Sequence, residues 1–219
     1  MTTRYHYDEQ LEDLHLKILK LGSMVEEAID KSIRSLVEHD KALAEEVIDN
    51  DDVIDSFTLE IDDECVRIIA TQQPLARDLR IIVAGLKLAT DLERIADHAV
   101  DIAKITERIA DEVYIKPLID IPRMAEMVKE MVKGALDAYV TTDSTRAIEI
   151  TKLDDEVDGI YKQMFRELLT YMMEDQKNIH QATQFLFVGK SLERIADHAT
   201  NICEWVIYID KGIHEDLNK

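Results

Sequence analysis

The sequence predicts an all-α fold, two tandem three-helix-bundle repeats related by pseudo-twofold symmetry. Three observations predict it. Gly (6) and Pro (3) are scarce in 219 residues, while hydrophobic residues make up 46% and charged residues 33%; a β-rich chain needs many more turn residues. Aromatic content is 5%, so aliphatic side chains and Met must fill the core, as they do in helix bundles. Finally, the octapeptide LERIADHA occurs at Leu92–Ala99 and again at Leu192–Ala199. Self-similarity at a fixed offset means one supersecondary unit used twice.

The similarity extends beyond the octapeptide. Asp51-Asp-Val-Ile-Asp55 matches Asp154-Asp-Glu-Val-Asp158, and Leu36-Val-Glu-His-Asp40 matches Tyr139-Val-Thr-Thr-Asp143. These upstream matches lie three residues further apart than the octapeptides do, and loops absorb length changes best. The difference is therefore expected in a loop after about Ala70 and after about Glu174. Residues 1–114 form the first expected unit and residues 115–219 the second.

Within the first unit, Leu11, Leu14, Ile18, Leu21, Val25, Ile29 and Leu36 recur at helical spacing and predict a helix from about Tyr7 to His39. Asp40 is placed to cap a second helix, because a carboxylate accepts from otherwise unpaired amides. That helix runs to about Thr71, where Gln72-Gln73-Pro74 marks a turn. A third runs from about Leu75 to Val113, and Pro117 and Pro122 punctuate the junction. The second unit repeats the plan, with helices at about Arg123–Val140, Ser144–Glu174 after a cap at Asp143, and Asn178–Lys211. Each copy has a long apolar stripe, which predicts side-by-side packing about a pseudo-twofold axis.

The formal net charge of −20 disfavours nucleic acid and anionic membrane surfaces. It suits metal cations, a basic patch on a protein partner, or solubility alone. Cys65 and Cys203 are not spaced as a C-x-x-C pair and sit in apolar helical contexts, so both are expected as small core residues. The N-terminal stretch lacks the apolar segment of a signal peptide, and no apolar run is long enough to span a bilayer. A cytoplasmic protein is expected.

Carboxylates carry the functional signal. Glu93, Asp97 and Asp101 are spaced by four and share one narrow stripe of the third helix, away from the apolar stripe Leu88, Leu92, Ala96, Ala99 and Ala103. Glu193, Asp197 and Asn201 repeat the row, with Glu204 further along. Asp51 and Asp55, and Asp154 and Asp158, add like-charged pairs on the preceding helix. Each such i, i+4 pair destabilises a helix by about 0.2–0.5 kcal/mol. Two readings remain: a compensating hard cation such as Mg, Mn, Ca or Fe, or a solvated acidic face in which Arg94 and Arg194 supply the neighbouring charge. His98 and His198 are rotated about 100° from the adjacent acids and read as interface or surface histidines. Di-iron enzymes carry paired Glu-x-x-His motifs; Glu12-x-x-His15 has no repeat partner. No phosphate loop, nucleophile elbow or H-E-x-x-H is present, so no catalysis is expected.

These residues resemble the PhoU family, whose hallmarks are two tandem three-helix repeats with E/D-x-x-x-D motifs. The two LERIADHA segments match those motifs. Cys65-Val-Arg-Ile-Ile-Ala-Thr-Gln-Gln-Pro74 with Asp78-Leu-Arg80, Leu169-Thr-Tyr-Met-Met-Glu-Asp175 and Asn201-Ile-Cys-Glu204 are similar to its connectors and its last motif. The likeness runs from about residue 10 to 212. It implies a negative regulator of the phosphate-starvation response that restrains phosphate uptake. Such a protein would couple the phosphate-specific ABC transporter, through its ATPase, to a sensor histidine kinase. It also implies homodimers and multinuclear metal clusters (Fe, Zn, Mg or Mn). Carried over, Asp51, Asp55, Glu93, Asp97 and Asp101 form one cluster. Asp154, Asp158, Glu193, Asp197, Asn201 and Glu204 form the other, which has less charge because neutral Asn201 replaces an acid. The alternative implied function is a carboxylate-bridged or di-iron-type protein without a signalling partner.

Overall fold

The computed structural model describes residues 2–217, with side chains from Tyr7 onward. It is a bundle of seven α-helices: α1 Thr2–Glu38, α2 Lys41–Asp49, α3 Asp51–Gln72, α4 Arg77–Ile109, α5 Asp120–Thr141, α6 Ser144–Glu174 and α7 Ile179–Lys211. A short 3-10 turn, Gln176–Asn178, precedes α7. No strand occurs among the described residues.

The two repeats end and restart their helices alike. Asp40 Oδ1 accepts from the Leu43 amide at 3.0 Å, and Asp143 Oδ1 accepts from the Thr145 and Arg146 amides at 2.9 and 3.0 Å. These bonds satisfy first-turn donors that the helix itself leaves unpaired. The residue before each cap, His39 or Thr142, takes a left-handed φ of 58° or 51° and ends the preceding helix. The fifth helix starts at Asp120, earlier than the expected Arg123, and so holds Pro122 in its first turn. A first-turn proline gives up no intrahelical bond there.

Two expectations are corrected. The second helix of the first repeat is divided at Asn50 (φ −80°, ψ −7°) into α2 and α3, whereas α6 is continuous through the matching Leu153. The Asn50 carbonyl still accepts from the Val53 and Ile54 amides at 3.2 and 3.3 Å, so the chain bends without a loop. Asparagine is a weak helix former because its amide competes with the backbone, which leucine cannot do. The bend lets Ala44 and Val47 pack separately on Val100 and Ala103. The three-residue difference between the repeats also does not lie in a loop. Both links between the α-helices cover four residues, 73–76 and 175–178. The helix ends carry the difference, because α3 runs further beyond Asp51 than α6 beyond Asp154, and α4 starts further ahead of Glu93 than α7 ahead of Glu193.

The repeats share one core. Helices α4 and α7 form its centre and run antiparallel, with Asp91 beside His198 and Asn201 at one end and residues 104–108 beside 187–190 at the other. Leu88, Leu92, Ala96 and Ala99 of α4, and Leu192, Ala196 and Ala199 of α7, are at most 1% exposed. Helix α1 packs on α4 and α5, α3 on α4, and α6 on α5 and α7. Cys65 and Cys203 are buried free thiols within this core, as expected, and burial raises both pKa values to about 12. Gln181 ties the junction to α7. Its side-chain carbonyl accepts from the Ile115 amide at 2.6 Å, and its amide donates to Glu112 at 2.9 Å. Among the described residues no helix is long and apolar enough to cross a membrane.

Two glycines test how closely the helices approach. A Cβ at Gly134 would overlap Ile150 Cδ1 and stand 2.9 Å from its Cγ1, whereas one at Gly159 meets nothing within 4 Å. Replacing an open helical glycine gains about 0.5–1 kcal/mol; overpacking loses about 1–3 kcal/mol. Gly159→Ala should therefore raise the urea midpoint, and Gly134→Ala should lower stability by about 1 kcal/mol net. Equal gains in both variants would show that α5 and α6 do not pack as closely as described.

Candidate functional site

Helices α3 and α4 bring Asp51, Asp55, Glu93 and Asp97 together, and α6 and α7 do the same for Asp154, Asp158, Glu193 and Asp197. Their mutual influence shows in their proton affinities. Partial burial raises the Asp51 pKa, with Asp55 and Asp97 adding to it and Lys104 opposing it. Glu93 is raised by burial, then by Asp97, with Asp55 and Asp51 contributing and Arg94 opposing. In the second cluster Asp154 is pushed up to about 6 by burial, then by Asp197 and Asp158. Asp197 is raised by burial and by Glu193, against Arg194. Acids four apart on one helix face each other across the gap to a second helix.

Basic side chains supply part of the compensating charge. Arg94 lies 3.4 Å from Glu93 and 3.1 Å from Asp97, and Arg194 lies 3.9 Å from Glu193 and 3.2 Å from Asp197. Lys190 pairs with Glu193, and Lys162 meets Asp158 at 2.7 Å.

The remaining expected ligands lie elsewhere. Asp101 faces His98, with Oδ2 3.7 Å from Nδ1, and lines a cleft with Lys104 and Arg108. Asn201 donates to Asp91 Oδ1 at 3.1 Å, and Glu204 accepts from the Leu217 amide at 2.6 Å. Eight of the eleven expected ligands are thus gathered in two sets of four. The residues from 101 and 201 onward turn towards the α4–α7 seam, because each added step of four rotates the side chain by about 40°.

For a metal, the donor set is a fit in kind. All eight gathered ligands are carboxylates, the hard oxygen donors that Mg, Mn, Ca and Fe accept. Asp51 Oδ1 is a buried oxygen with no hydrogen-bond partner, an acceptor that a cation would satisfy. In the present side-chain arrangement, among the described residues, no three His, Cys, Asp or Glu side chains stand together as a ready-made ion site. Binding would therefore require rotation of side chains already close to one another. His15, of the unpaired Glu-x-x-His motif, stacks on Tyr139 at 4.8 Å, and burial lowers its pKa.

The histidines of the octapeptides occupy the interface between α4 and α7, their rings 5.9 Å apart. His198 Nδ1 donates to Asp91 Oδ1 at 2.9 Å. Sequence reasoning gave Asp91 no role. The available signal was the pairing of Asp91 with Ser191 just before the two identical octapeptides.

The raised carboxyl pKa values give stability a definite pH dependence. Asp154 has an ordinary value of 3.8 and a folded value of about 6, so the folded state holds its proton more tightly. Its contribution is fully present below the ordinary value and is lost as pH rises through about 6. Burial lowers the His15 and His98 pKa values, so those two groups pull the other way as pH falls. Relative to Asp154→Asn, the metal-free wild type should gain melting temperature as the pH is brought from about 7.5 to about 5.5, and the variant should melt higher than the wild type at the upper end. Calorimetry of both proteins checks this; a difference between them that stays constant over the interval would contradict the cluster electrostatics.

Comparison with known proteins agrees with this architecture. The family model described as the PhoU domain matches twice, at residues 18–106 and 121–206. A phosphate-specific transport system accessory protein PhoU homolog of Clostridium acetobutylicum is 46% identical over 217 residues, covering 99% of both chains. The homolog of that name in Pseudomonas aeruginosa is 38% identical, over 94% of this chain and 86% of that one. The crystal structure of PhoU from Pseudomonas aeruginosa superposes with a TM-score of 0.91 at 38% identity, covering 94% of this chain and all (100%) of that one. The phosphate transport system regulatory protein PhoU from Streptococcus pneumoniae gives 0.89 at 30% identity, with 96% and 99% covered. With both repeats matched and relatives alike along almost the whole chain, this protein belongs to the PhoU family.

Proposed function

We propose that this chain is a non-catalytic regulator of phosphate transport and of the phosphate-starvation response. The observation that carries the reading is the 46% identity, over 99% of both chains, to a relative named as an accessory protein of the phosphate-specific transport system. The name of the Streptococcus structure, a phosphate transport system regulatory protein, points the same way.

In this reading the protein is a cytoplasmic adaptor, working as a homodimer, between the ATPase of the phosphate-specific ABC transporter and a sensor histidine kinase. When phosphate is plentiful it favours the kinase's silent state and restrains uptake. The signal is a shift between partner-bound states, so only a difference in affinity for those states matters. The acidic face is the docking element. Two sets of four carboxylates, one on each repeat, fit a basic surface on a partner or metal ions shared with it. As metal sites, Asp51, Asp55, Glu93 and Asp97 would hold one set of ions, and Asp154, Asp158, Glu193 and Asp197 the other. Hard cations there would neutralise like charges that otherwise raise one another's pKa values.

Two experiments separate the adaptor from the metal reading. Pull-downs with the kinase and the transporter ATPase, at high and low phosphate, should recover both partners with a phosphate-dependent ratio; recovery of neither in any condition removes the adaptor. Deleting the gene should raise phosphate-starvation gene expression in phosphate-rich medium. Separately, protein purified without chelators should carry metal, and Asp51→Asn combined with Asp97→Asn should lower the bound amount by about half, since one of two clusters is lost. Metal-free wild type whose melting temperature does not respond to added Mn or Fe would exclude the clusters as metal sites.

A further inference from the structure

The duplicated α4–α7 seam has two equivalent sides, and they are not alike. On one side the chain covers its own groove. His214 stacks on Tyr208 at 4.1 Å and lies 5.4 Å from Trp205, and the Leu217 amide donates to Glu204 at 2.6 Å. There His198 is bonded to Asp91. On the other side Ser191 replaces Asp91, and the seam opens into a cleft of about 370 Å³. His98 Nδ1, the twin of the bonded nitrogen in His198, is buried there without a hydrogen bond.

The lining of the open cleft is opposite in sign to the protein. Lys and Arg together number 26 of 219 residues, against 46 acids. Yet four of the nine cleft-lining residues are Lys104, Arg108, Lys190 and Arg194, against the single acid Asp101. Lys190 and Arg194 are engaged by Glu193 and Asp197. Among the described residues Lys104 and Arg108 make no hydrogen bond or ion pair, and Lys104 acts on Asp51 only at longer range. They stand one turn apart on α4 and can face a common anion. Exposed Phe187 and buried Ile105 complete an apolar wall.

We propose that this cleft binds a small molecule that carries a phosphate group on a planar organic body, a nucleoside phosphate being the best-matched class. Lys104 and Arg108 take the phosphate, since a guanidinium offers forked donors and an ammonium a compact charge. The planar body lies on the Phe187 ring, where stacking tolerates any base. The volume is in the range of small-molecule sites and larger than an inorganic phosphate fills. The twin groove cannot take this ligand. It carries Glu204 and Tyr208 at the positions of Lys104 and Arg108, and the chain's own C-terminal segment lies against them.

Calorimetric titration of the full chain with AMP, and separately with inorganic phosphate, tests the assignment. AMP should bind saturably and at least about tenfold more tightly than inorganic phosphate. Lys104→Ala combined with Arg108→Ala should weaken AMP binding at least about tenfold, while Lys41→Ala combined with Lys87→Ala, the same charge change away from the cleft, should leave it within about twofold. Phe187→Ala, an exposed position whose loss spares the core, should weaken AMP and leave inorganic phosphate unchanged. No heat from AMP up to about 5 mM would overturn the proposal. So would equal weakening by both double variants, or equal affinity for AMP and inorganic phosphate. None of these outcomes bears on the regulatory role, which the partner pull-downs address.

Discussion

The rest of the structure depends on one packing constraint, the antiparallel seam of α4 and α7. Both helices must bury Leu92, Ala96 and Ala99, or their counterparts Leu192, Ala196 and Ala199, against each other and the flanking helices. The His98 and His198 rings meet across that seam, 5.9 Å apart. Once that face is fixed, helical geometry decides everything else on the two helices. Glu93 and Asp97 must emerge on the flank towards α3, and Glu193 and Asp197 on the flank towards α6. The acidic face is therefore a consequence of the core, displayed by it and held at a fixed spacing.

Duplication sets two equivalent environments, and single substitutions then separate them. Asp91 and Ser191 occupy matching positions. Asp91 is 9% exposed, and its Oδ1 accepts inside the seam from both His198 and Asn201. A serine in the twin position offers His98 no carboxylate, and His98 Nδ1 has no hydrogen bond there, beside the open cleft. A buried carboxyl group must be hydrogen-bonded to offset its desolvation. The bend at Asn50 is a similar case, since replacing the leucine of the second copy divides one helix into two and gives α2 its own contact with α4.

Much of this was legible in the sequence because helices convert spacing directly into direction. The apolar stripe of α4, the caps at Asp40 and Asp143 and the acids spaced by four on each helix all follow from residue numbers and a repeat of 3.6, while their grouping across helices, in sets of five and six, came from the family resemblance. What was not legible depends on contacts between helices. The row Glu93, Asp97, Asp101 looks continuous along one helix, but Asp101 has rotated past α3 and faces the other seam helix. The basic cleft draws its charges from two helices that are distant in sequence, so neither contributing segment is conspicuously basic. The twin role of Asp91 was hidden because the identical octapeptides begin one residue later, and the informative difference lay just outside them. Loop length was misread because helix ends, where capping and turn chemistry compete within a residue or two, took up the change instead.

The two acid clusters differ in how their charge is already balanced, and this bears on how a cation would enter. In the second cluster Glu193, Asp197 and Asp158 each have a basic partner, through Lys190, Arg194 and Lys162. Asp154 forms no ion pair among the described residues, and burial, with Asp197 and Asp158 adding to it, pushes its carboxyl up to about 6. In the first cluster Arg94 serves both Glu93 and Asp97, and Lys104 acts on Asp51 from the seam side. The arginines and lysines are half-exposed in these pairs, and ion pairs so open to water are weak. Releasing one or two of them is a small loss beside the attraction between a divalent ion and several carboxylates at partial burial. The ion pairs are thus weak enough to be exchanged for a cation or for a partner's basic groups, yet sufficient to hold eight acids in register while neither is bound.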